Sequence, residues 1–78
     1  MNVWTKGDDA AVCLSYCYHG AKATPELLAA LSHLPPGSIG MRLHNVEYLA
    51  TSGTRGLSGV AAQTREVWGL VSAARQAS

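Results

Sequence analysis

Charge is scarce in this chain. Only 14% of its 78 residues are Asp, Glu, Lys or Arg, against roughly 25% in an average soluble domain. Six basic residues against five acidic ones leave a formal net charge of +1, so no strong overall field draws the protein to nucleic acid or lipid. Such sparseness is what a surface partly covered by a partner would show. Also missing is any apolar run near the ~20 residues that cross a bilayer. The opening Met1–Asp9 lacks the apolar stretch of a secretory signal and carries Asp8 and Asp9 where that signal would be greasy, so a cytoplasmic location is expected. Strand-type alternation is nowhere sustained, and there are no internal repeats or low-complexity tracts. The length excludes a dinucleotide fold, a barrel or a two-domain enzyme.

The two cysteines, Cys13 and Cys17, lie four apart in a helical pattern, where a bridge would need backbone distortion. They read as small buried hydrophobes in a reducing cytosol. Cys-x3-Cys with His19 or His33 is a poor match to structural zinc spacing, and no metal or cofactor is expected. A chain this short rarely draws more than ~3–5 kcal/mol from a single core. Either every helix joins one shared core over residues 1–78, or a partner supplies the rest.

What is present is helical. Ala10, Leu14 and Cys17, flanked by Cys13, form one apolar stripe over Asp8–Tyr18, with Val12 and Tyr16 as a smaller second strip. Trp4 is expected to fold back onto the core, and Gly20 to close the helix. Thr24 as N-cap, Pro25 at the first helical position and Glu26 announce a second helix, with Leu27, Leu28 and Leu31 buried and Leu34 just beyond. Pro35-Pro36-Gly37 stops it. A third helix runs from Pro36 or Ser38 to Ala50, with Ile39, Leu43, Val46 and Ala50 inward. Met41, His44, Asn45 and Tyr48 face mainly away, with Arg42 on the flank. Residues 51–56 form a turn-rich linker. Helical spacing resumes at Leu57, predicting a C-terminal helix over 57–76 with Ser58 as a candidate cap and Trp68 in the core. The fold expected is all-α, a compact three- to four-helix bundle containing a helix-turn-helix.

In a helix-turn-helix the second helix braces the third, whose outer face enters the major groove. Arg42 suits a guanine edge or a phosphate and Asn45 an adenine edge, although Asn45 could instead bond the backbone of the following linker. Ser38 is a phosphate contact, Met41 and His44 share the outer face, and Lys6, Lys22 and Arg55 could touch the DNA backbone from loops. His33 is expected to meet helix-terminal carbonyls. No strained nucleophile turn, nucleotide loop or histidine cluster points to an enzyme.

Trp4-Thr5-Lys6-Gly7-Asp8-Asp9 resembles the Trp-(Ser/Thr)-x-x-(Glu/Asp)-(Glu/Asp) opening of Myb/SANT-like domains. Ser38–Leu49, Gly56-Leu57-Ser58 and Thr64–Trp68 are similar to segments of the N-terminal domains of HNH-type restriction endonucleases. The resemblance spans roughly residues 4 to 71 and implies a DNA-engaging module, with Arg42 and Asn45 at the matching polar positions and no nuclease half. The leading expectation is thus a small bacterial or phage DNA-binding regulator or accessory protein that reads duplex DNA with its third helix. The rival is a protein-interaction adaptor binding through Val12, Tyr16, Met41 and Tyr48, without DNA. A third possibility is a homodimer formed through the terminal helix.

Overall fold

The computed structural model describes residues 3–77, which form four helices: α1 (Lys6–His19), α2 (Pro25–Ala30), α3 (Pro36–Ala50) and α4 (Ala62–Ala77). There is no strand among the described residues, and the all-α class follows.

Local chemistry sets three of the boundaries. Thr5 caps α1 in a reciprocal box: its hydroxyl accepts from Asp8 N–H at 3.1 Å, and Asp8 Oδ2 accepts from Thr5 N–H at 3.0 Å. Two otherwise orphaned donors are satisfied in one exchange. Gly20, at φ +75, closes the helix. Thr24 Oγ1 accepts from Leu27 N–H at 3.1 Å to start α2, with Pro25 in its first turn. α3 begins immediately after Pro35, which offers no side-chain cap.

One core unites the helices. Val12 and Cys13 of α1, Leu27, Leu31 and Leu34 of α2 and its turn, Ile39, Leu43 and Val46 of α3, and Val67 of α4 are its buried members. Trp4, Trp68 and Tyr16 pack around it, the last two edge to face at 5.9 Å. α1 is the hub: it packs on all three other helices, while α3 is held between α1 and α4, and α2 docks chiefly on α1.

Two expectations change here. The α1 stripe is rotated: Val12 is fully buried and Leu14 is 44% exposed, because α1 turns its Val12–Tyr16 side toward α4. The terminal helix starts at Ala62, not Leu57. Residues 57–61 instead form a non-helical strap lying along α3, so Ser58 caps nothing. Gly56 causes this. It sits at φ +92 so close to α3 that a Cβ would come within 2.4 Å of His44 O and 2.6 Å of Tyr48 N. Only glycine permits that approach. Leu57 N–H then donates to His44 O at 3.0 Å, pinning the strap.

Candidate functional site: the cleft beside α3

The strap and α3 enclose a cleft of about 210 Å³ lined by Trp4, Ser38, Met41, Arg42, Asn45, Gly59 and Ala61. Ser38, Met41, Arg42 and Asn45 follow one another at i, i+3, i+4 and i+7, the spacing of a single helical face. Four of the residues singled out from the sequence therefore meet in one place. The place is concave, however, and two of the four have structural partners already.

Arg42 is the clearest correction. It does not project from the flank of α3 but turns inward, leaving its side chain 15% exposed. Its Nη1 donates to Thr64 Oγ1 and lies 3.5 Å from Asp9 Oδ1. The guanidinium stacks on the Trp4 ring, 4.2 Å from the centroid. Thr64 passes the interaction on, its hydroxyl donating to Asp9 Oδ1 at 2.8 Å. Gln63 Nε2 donates both to Asp9 Oδ2 and to Trp4 O at 2.8 Å. Asp9 has no solvent exposure. A carboxylate so placed is tolerable only because its oxygens are matched by the cation and by hydrogen-bond donors. The knot joins α1, α3 and α4.

Asn45 takes the local role. Its Nδ2 donates to Leu57 O at 2.8 Å and reaches Ser58 O at 3.4 Å, fastening the strap. The expectation that Arg42 and Asn45 form an outward base-reading face thus meets a cavity wall covered by the strap. Of the other residues, Met41 is 60% exposed at the cleft rim. His44 is exposed, one step round α3, with Nδ1 3.7 Å from Glu47. Lys6 pairs with Glu66 across α1 and α4 at 3.2 Å. Lys22 and Arg55 are exposed in the turns after α1 and α3 and do not line the cleft. Val12 and Tyr16, expected as partner contacts, are taken up by the core and by Trp68. His33 binds Asp8 Oδ1 at 3.1 Å, not a helix-terminal carbonyl.

Trp4, expected to fold back onto the core, lines the cleft together with Gly59 and Ala61, and none of the three was expected as a site residue. The pair Gly56 and Gly59, both at positive φ, was the available signal against a helix beginning at Leu57. A second, more apolar groove between α1 and α2 is lined in part by Ala11, Leu14, Ser15, Tyr18, Leu27 and Ala30.

The titration of the buried groups fits structural duty. The Thr5 N–H bond to Asp8 holds that carboxyl below its ordinary 3.8; burial opposes this and His33 assists it. Cys13 is pushed up to about 12, first by burial and then by Asp9, which leaves an unreactive thiol. Among the described residues no group of three His, Cys, Asp or Glu side chains could hold a metal ion, and no helix is long and apolar enough to cross a membrane. No family model, curated protein or solved structure matches the chain.

Proposed function

We propose that this chain is a small protein-interaction module that docks a partner at the cleft between α3 and the 57–61 strap. The observation that carries the reading is the enclosure of the α3 polar face. A helix that reads a major groove must offer a convex row of free side chains, whereas here Arg42 is drawn into the Asp9–Thr64 knot and Asn45 into the strap. What remains accessible is a concavity with an apolar rim, Met41 and Ala61, over a polar floor. Its volume lies below the ~300–1,000 Å³ of small-molecule pockets and suits one inserted side chain.

The test is selection of random displayed peptides on the folded chain, followed by mapping of the winners through backbone amide shifts. Peptides that bind with micromolar affinity and shift Ser38, Met41 and Gly59 are expected. Mixed duplex DNA should not bind at low salt. Duplex binding that weakens steeply with salt, with no peptide enriched, overturns the reading.

One observation favours a second reading as a helix-turn-helix DNA binder. The net charge of +1 counts two carboxylates, Asp8 and Asp9, that are buried. Outside, Lys6, Lys22, Arg55, Arg65 and Arg75 are exposed against Glu26 and Glu66. A surface more basic than the formal balance suits phosphate contact, and the Myb/SANT-like opening points the same way. In that reading Ser38, Met41 and His44 remain available on α3, and Arg42 and Asn45 act only as supports.

A further inference from the structure

We infer that the cleft takes an acidic side chain of a partner protein, a glutamate-like group with an apolar stem and a terminal carboxylate. The inference rests on the interaction-module reading and names what that module would recognise.

The cationic group on the floor of the cleft is Arg42; the neighbouring Asn45 has its Nδ2 committed to the strap. Both polar contacts of the Arg42 guanidinium inside the protein go through Nη1, and its residual exposed surface belongs to the cleft lining. Guanidinium presents five N–H donors in a planar fork and binds carboxylates edge on. Trp4, 4.2 Å from the guanidinium carbon, and the Thr64 and Asp9 contacts already hold the side chain in place, so little side-chain freedom is lost on binding. The balancing carboxylate, Asp9, is fully buried and already matched by Gln63 and Thr64. Its charge is internal, and no acidic residue lines the cleft itself.

The helix adds to the same polarity. Ser38 lies in the first turn of α3, and the positive end of the helix dipole falls within that turn. Pro35 provides no side-chain cap there and no acidic residue occupies the turn. Ser38 itself brings a hydroxyl to the cleft wall.

The walls discriminate between anions. Trp4, Met41 and Ala61 offer apolar surface along which methylene groups can lie before the carboxylate reaches the floor. A phosphodiester has no such stem, and its flanking sugars meet a concavity sized for a single side chain. A carboxylate on a short aliphatic arm satisfies both the rim and the floor.

Amide and side-chain NMR of the full chain, titrated with N-acetyl-glutamate N-methylamide, tests this. The expected result is saturable shifts at the Ser38 amide, the Arg42 Nε–H and the Trp4 indole N–H. The glutamine analogue should bind at least tenfold more weakly. Ser38→Glu, which places a competing carboxylate in the wall at a first-turn position that tolerates acid, should abolish the shifts while the thermal melt stays intact. Equal response to the two analogues, or silence to both, overturns the inference. So does an equal response of the cleft to inorganic phosphate. If selected peptides bind elsewhere, as at the Leu14–Tyr18 groove, this inference and the cleft as docking site both fall, and the protein-interaction role alone stands. If only duplex DNA binds, that role falls as well.

Discussion

The ion pairs that tie the N-terminal helix to α4 and to α3 differ chiefly in their surroundings. Lys6–Glu66 spans α1 and α4 at 3.2 Å with both side chains more than half exposed. Arg42–Asp9 spans α3 and α1 at 3.5 Å, with Asp9 sealed from solvent and Thr64 of α4 bonded to both partners. Water and salt screen the first and leave it worth little. In the second, desolvation is costly and the surrounding hydrogen bonds must offset it. Geometry alone would rank the outer pair first, since it is shorter. Environment reverses the order: most of the charged side chains of the chain are exposed, whereas the Arg42–Asp9 pair is held inside the bundle.

The strongest way to break this comparison is Asp9→Ala. Removing one partner leaves a buried guanidinium uncompensated, at a cost of about 3–5 kcal/mol, so urea denaturation should find the variant largely unfolded. A folded, wild-type-like Asp9→Ala would show that the knot is not structural. Asn45→Ala comes next. It releases the strap from Leu57 O and Ser58 O and should lower stability by about 1 kcal/mol, with faster hydrogen exchange at the Leu57 amide. Lys6→Ala should change stability by less than about 1 kcal/mol, and 1 M salt should erase even that difference.

Acid sharpens the contrast from another side. Asp8 is depressed in the folded state, so the stability it contributes is complete above the ordinary carboxylate range and drains away as pH falls through the lower folded value. Below about pH 4 the wild type should lose stability more steeply than Asp8→Asn. Parallel acid limbs in the two proteins would contradict that assignment.

How much of this was legible depended on how local each signal was. The α2 start could be read directly, because Thr24, Pro25 and Glu26 act within one turn. The Ile39, Leu43 and Val46 face of α3 was equally readable, although Ala50, expected on the same face, is exposed at the end of the helix. Arg42 was not. A charged side chain next to a polar row reads as outward by default, and only its encounter with Asp9, distant in sequence, turned it in. The α1 stripe failed for a related reason: Leu14 and Val12 are both apolar, and nothing within the helix says which side α4 will cover.

The amino-acid order by itself determined that the chain is helical, where α2 and α3 begin, and that Leu27, Leu31, Ile39, Leu43 and Val46 meet in the core, because caps, prolines and 3.6-residue spacing act over a few neighbours. The tertiary structure decided that Gly56 lays a strap on α3, that Asp9 and Arg42 become an internal pair, and that a row of polar residues becomes the wall of a cleft. Those outcomes depend on contacts between residues far apart along the chain, and dielectric, burial and close approach are properties of the assembled bundle.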